Sequence, residues 1–190
     1  MLEAARGLFE SVGYEGTTVR MIAQAAGVSV GSVFTTFQSK RDVLARILHD
    51  RLDGLHDELN RVAPQLRGST ADRLRSIFAI HYTHVAHRPG LFLAYLASGF
   101  DQADSGIRAE AEHSRLNKIL HDCLLEGRAR GDVCHKADLS LAADLLMAAY
   151  VWTYRLIARE GAQFEAISDV MDRHIGLIAD GFAPRPEAAN

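Results

Sequence analysis

Between Gly16 and Arg41 the chain has no aspartate or glutamate, although Arg20, Lys40 and Arg41 lie in that span. Elsewhere acid outweighs base, and the 190 residues carry a net charge of −3. That charge excludes a global basic field, so any nucleic-acid contact must come from a local patch. Cysteine is scarce. Cys123 and Cys134 form no CxxC or Cys/His zinc pattern, and a bridge between the two is open to the chain but not needed. No apolar run is long enough to span a bilayer. The N-terminus, MLEAARGLFE, lacks the basic region followed by an apolar block of a signal peptide. The expectation is a soluble, cytoplasmic protein with no membrane partner. Prolines are few as well: Pro64, Pro89, Pro184 and Pro186 all fall where helices would start or stop. Sustained strand alternation is missing, and the 3.6-residue apolar period is strong almost throughout. These absences predict an all-α fold.

The apolar pattern predicts about nine helices. The first spans 2–12, with Leu2, Ala5, Phe9 and Val12 on one stripe, and Gly13 ends it. The second starts after Thr17 or Thr18, either of which can cap it, and ends at Gly27. The third is short, from Ser29 to about Thr36. The fourth starts at Ser39, where Ser39 and Asp42 have capping-box spacing. Its stripe is Leu44, Leu48, Leu52, Leu55, Leu59 and Val62. Five more follow, over 71–87, from Pro89, and over 105–130, 138–160 and 163–182.

The second and third helices, with a tight turn at Gly27, have the pattern of a helix-turn-helix. Ala23 is small where the helices cross, and Val28 and Val33 are expected to lock the third helix against the second. The missing acid then has a physical reason. A helix entering the major groove approaches two rows of phosphates, which a carboxylate would repel. Hydroxyls and lysines near helix starts suit phosphate, and Thr17, Thr18, Ser29 and Lys40 stand at three such starts.

The stretch LFESVGYEGTTVRMIAQAAGVSVGSVFTTFQSKRDVL resembles the DNA-binding head of the TetR/AcrR family of transcriptional regulators. The marks are Phe9, Gly13-Tyr14, Thr17-Thr18, Ile22-Ala23, Ala26-Gly27-Val28-Ser29, Gly31, Phe37 and Ser39-Lys40. The resemblance implies a helix-turn-helix DNA-binding domain over 1–47 and a helical ligand-binding and dimerisation domain over 48–183; the segment PRPEAAN, 184–190, reads by itself as a disordered tail. It implies a recognition helix whose Ser29, Val30, Gly31, Ser32, Phe34, Thr35 and Thr36 face DNA, with backbone contacts from Thr17, Thr18 and Lys40. Three positions depart from the family pattern. Phe34 stands where Tyr is usual, Val30 where Lys or Arg is frequent, and Thr35 where His or another polar residue is found. A Val or Thr methyl can instead meet a thymine methyl. The family's basic residues before the first helix are absent. Either the protein begins earlier or it lacks that arm, and lower DNA affinity is expected.

The 138–160 helix is apolar nearly all round, so it needs burial on two sides. With the 163–182 helix it is expected to form a two-fold four-helix bundle, making a homodimer. A small, largely apolar effector is expected inside the body, near His81, Tyr82, His84, Phe92, Tyr95, Phe100, His113, Tyr150 and Tyr154. His81, His84 and His87 lack a completing carboxylate or cysteine, so no metal and no cofactor is expected. His49 and His56 are expected at the surface or between head and body. No nucleophile elbow, P-loop or HExxH is present, which argues against an enzyme. The expected function is a repressor of a palindromic operator, released by its effector. The alternative is a helical small-molecule-binding module with impaired DNA binding.

Overall fold

In the computed structural model, residues 1–86, 91–92, 106–160 and 164–184 are described. Eight α-helices and no strand occur among them. The chain divides into two compact units, Met1–Gly54 with His87–Ala109 and Leu55–Ala86 with Glu110–Asn190. The division falls inside the fourth helix, later than the expected boundary at 47/48. The predicted helix from Pro89 lies largely outside the described residues, as does the tail beyond Pro184.

The first unit begins with α1 (Leu2–Ser11), which buries Ala5 and Phe9. Gly13 follows with φ +84°, a left-handed conformation that a side chain would strain. α2 (Val19–Ala25) is capped by Thr18, whose hydroxyl accepts from the Met21 N–H at 3.2 Å. It buries Ile22 and Ala23, and Ala23 is the small residue at the crossing with α3. Gly27, at φ +66°, turns the chain, and the Val28 N–H closes the turn on the Ala23 carbonyl at 3.0 Å. α3 (Val30–Thr36) is capped by Ser29 and buries only Val33. Val33 therefore provides the expected lock. Val28 does so only through its backbone, because its side chain is 38% exposed.

α4 (Lys40–Val62) starts on the expected box, with one difference. The Asp42 N–H donates to Ser39 Oγ at 3.1 Å, but the Asp42 carboxylate accepts from the Gln38 N–H, not from Ser39. At about 1.5 Å per residue its 23 residues reach about 35 Å. Its N-terminal half buries Val43, Leu44 and Ile47 in the first unit, and its C-terminal half buries Leu55 and Leu59 in the second.

In the second unit α5 (Thr70–Ala86), α6 (Gly106–Arg130), α7 (Leu139–Glu160) and α8 (Phe164–Phe182) complete the core. α8 packs against α5 and α7. It turns Ile167, Met171, Ile175 and Phe182 inward. The α4 end, α5 and α6 are tied by Arg73, which is 3% exposed. Its guanidinium donates to the Ala63 carbonyl at 2.9 Å and to Glu126 at 2.5 Å. Gly131 ends α6 at φ +85°.

Candidate nucleic-acid interface and ligand-binding core

Seven of the predicted DNA-facing residues share one exposed surface. Ser29, Val30, Gly31, Ser32, Phe34, Thr35 and Thr36 are all exposed around α3. Thr18 is exposed at the start of α2, next to exposed Arg20. The hydroxyls on this surface make bonds within the head. Ser29 Oγ accepts from the Ser32 N–H at 3.0 Å and lies 2.9 Å from Ser32 Oγ. Thr35 donates to the Gly31 carbonyl at 2.8 Å, and Thr36 to the Ser32 carbonyl at 3.2 Å.

Two of the residues expected at phosphates have partners within the head. Thr17 is 1% exposed; its hydroxyl donates to the Gly13 carbonyl at 2.7 Å and its N–H to the Tyr14 carbonyl. It closes the α1–α2 turn and has no group to offer a phosphate. Lys40 is also engaged internally. Its ammonium donates to the Tyr14 carbonyl at 2.7 Å and sits 4.2 Å from the centroid of the Tyr14 ring. That ring packs on Phe9 with centroids 5.5 Å apart. Burial, helped by the neighbouring Glu15 carboxylate, pushes the Tyr14 phenol up, so it stays neutral beside the cation. A charge-assisted hydrogen bond and a cation–π contact thus hold the start of α4 to the α1–α2 turn.

Four of the predicted ligand residues come together in the second unit. His81, Tyr82, Tyr150 and Tyr154 are buried, each at 4% exposure or less. The Tyr150 hydroxyl lies 2.9 Å from His81 Nδ1 and 3.3 Å from the Tyr154 hydroxyl. Tyr82 and Thr153 share a hydrogen bond of 2.6 Å. Burial, followed by the neighbouring His56 and His84, pushes His81 down to about 3, so it is neutral. Burial raises the Tyr82 and Tyr154 phenols well above their usual range. The arrangement is a neutral, hydrogen-bonding aromatic cluster within an apolar core.

His84 is half-buried on the same helix. Phe92 is buried but groups with the first unit. Tyr95 and Phe100 lie outside the described residues, as does the His113 side chain. Thr153 and Phe78 belong to the cluster but were not anticipated. His56 is not at the surface: it is 2% exposed, with its ring 6.2 Å from that of His81. Cys123 is buried, and burial pushes its thiol up to about 11, which makes it inert. Among the described residues no group of three or more His, Cys, Asp or Glu is placed to hold a metal. None of their helices is long and apolar enough to cross a membrane.

A family model for bacterial regulatory proteins of the tetR family matches residues 1–47. The HTH-type transcriptional repressor KstR2 of Rhodococcus jostii (strain RHA1) is 39% identical over 200 residues, covering 96% of this chain and 89% of that protein. KstR2 of Mycolicibacterium smegmatis is 28% identical over 146 residues, covering 74% of this chain and 69% of that one. Among solved structures, Thermus thermophilus FadR in complex with lauroyl-CoA matches with a TM-score of 0.78 at 24% identity, covering 100% of this chain and 96% of that one. FadR from Bacillus subtilis in complex with stearoyl-CoA matches with a TM-score of 0.74 at 18% identity, covering 95% and 97%. With the helix-turn-helix head in place and a relative this similar along nearly its whole length, the chain belongs to the TetR family of bacterial regulatory proteins.

Proposed function

We propose that the protein is a homodimeric transcriptional repressor that binds a palindromic operator and leaves it when a small, largely apolar molecule occupies the body. The observation that carries this reading is the α3 surface: seven exposed residues inside a stretch free of acid, in a chain of net charge −3. A phosphate-facing surface has a reason to exclude carboxylates, and a surface indifferent to DNA has none.

Dimerisation supplies the second head. Leu141, Leu145 and Trp152 on α7 are 56%, 49% and 46% exposed, and Leu177 on α8 is 76% exposed. With exposed Ala148, the α7 residues recur at steps of four, three and four, the spacing of a coiled-coil seam. This favours pairing of α7 and α8 with their copies about a two-fold axis. Two recognition helices then reach successive major grooves, about 34 Å apart on one DNA face.

For the effector we favour an acyl-CoA thioester, the class of ligand held by the two FadR proteins. The acyl tail suits the apolar core of the second unit. His81, Tyr82, Tyr150 and Tyr154, with His84 as a further candidate, would meet its polar groups. The test begins by selecting duplexes from a random library with the full chain. Lauroyl-CoA, laurate and free coenzyme A are then titrated against the selected complex. Release by the thioester alone supports the reading. Unchanged affinity with all three refutes the effector class, and failure to select any preferred duplex refutes operator binding.

A further inference from the structure

The seven residues of α3 are VGSVFTT. None is Arg, Lys, Asn, Gln, Asp or Glu. The helix therefore carries none of the side chains that pair with a guanine or adenine edge through two hydrogen bonds, or that accept from the cytosine amine. Its hydroxyls are exposed, but each has a hydrogen-bond partner within the head. Ser29 is bonded to the Ser32 N–H, Thr35 to the Gly31 carbonyl and Thr36 to the Ser32 carbonyl. Beside these hydroxyls, two large apolar side chains of the helix are exposed: Val30 at 37% and Phe34 at 53%. Four residues apart on a helix, they lie on one face. Between them Gly31 leaves the backbone bare. A Cβ there would meet only Ser29 Oγ, at 3.6 Å, so nothing props a partner surface away.

The base-edge group in the major groove that matches this apolar pair is the C5 methyl of thymine. Resting on the operator-binding reading above, we propose that Val30 and Phe34 are specificity-determining residues that read thymine methyl groups. Each operator half-site then carries thymines beneath α3. Discrimination comes from methyl burial and not from bidentate hydrogen bonds.

The test replaces each thymine of the selected duplex, one at a time, by deoxyuridine. This removes the methyl and keeps the base pairing. One or two positions per half-site should lose about fourfold in affinity each, the worth of one buried CH2-sized group. In the Val30→Ala and Phe34→Ala proteins the thymine-to-uracil ratio at those positions should fall to one. Each ratio is measured within a single protein, so a change in folded fraction cancels. Equal affinity for thymine and uracil at every position, with sequence preference intact, overturns the methyl reading and leaves the repressor reading standing. Full uracil sensitivity in both alanine proteins also overturns it. If no preferred duplex is recovered at all, the operator-binding reading falls first and takes this inference with it.

Discussion

Replacing Lys40 by Met removes the ammonium and keeps an unbranched apolar stem of similar length. In the structure that ammonium makes a 2.7 Å bond to the Tyr14 carbonyl and a cation–π contact at 4.2 Å. A hydrogen bond to a charged group contributes about 1.5–3 kcal/mol net, and an exposed cation–π contact about 0.5–1 kcal/mol. Methionine recovers part of the ring contact through its thioether. A local loss of about 2 kcal/mol follows, centred on the α1–α2 turn that Tyr14 and Thr17 close. Hydrogen exchange by mass spectrometry reads that turn directly. Peptides covering residues 12–24 should exchange about thirtyfold faster, while peptides from α7 and α8 stay unchanged. Lys40→Arg, which keeps the charge, should lose much less. On the operator the Met variant should bind more weakly with the same salt slope, because the charge is held by Tyr14. Exchange at 12–24 within twofold of the parent would refute the latch. A salt slope smaller by about 0.9 per head would show that the ammonium moves to a phosphate on binding.

Three further outcomes follow from other parts of the molecule. Leu145→Glu places a charge in the exposed α7 seam and should turn a dimer into a monomer in light scattering, while the parent's single tryptophan, Trp152, loses its blue-shifted emission on dilution. His81 is held neutral in the folded protein, titrating at about 3 against an ordinary value near 6.5 in the unfolded chain. The unfolded state therefore binds the extra proton. Stability is unaffected above about pH 6.5 and falls toward pH 3 by about 1.4 kcal/mol per unit, a slope that should be absent in His81→Asn when urea unfolding is compared at pH 7, 6 and 5. Gly127→Ala puts a Cβ against the Thr70 hydroxyl and 3.0 Å from Val133 Cγ2, and should cost about 1–3 kcal/mol, seen as a lower melting temperature.

The parts of the fold legible in the sequence are those set by local chemistry. Gly13, Gly27 and Gly131 mark helix ends, and each takes a positive φ that only glycine adopts without strain. The apolar period placed α5, α7 and α8 within a residue of their observed starts, because one buried face per helix leaves a regular trace. What stayed illegible depends on contacts between distant residues. Thr17 and Thr18 are adjacent hydroxyls with equal claims to the cap, and only the packing of α1 turns Thr17 inward. Lys40 reads as a free cation until Tyr14 is seen 26 residues away holding it. His56 and His81 lie on different helices, and no spacing rule pairs them. Of the ligand candidates, the four that meet share α5 and α7. Their neighbour Thr153 is not legible, because a threonine inside an apolar helix carries no signal of its partner, Tyr82.

Hydroxyl-radical footprinting of the full chain on its selected duplex tests the central claim most directly, that paired α3 surfaces occupy successive grooves of one operator. Two protected patches on one face, related by the operator's symmetry and centred about 10 base pairs apart, are the predicted result. A single patch, or protection with no periodicity at saturating protein, would contradict it.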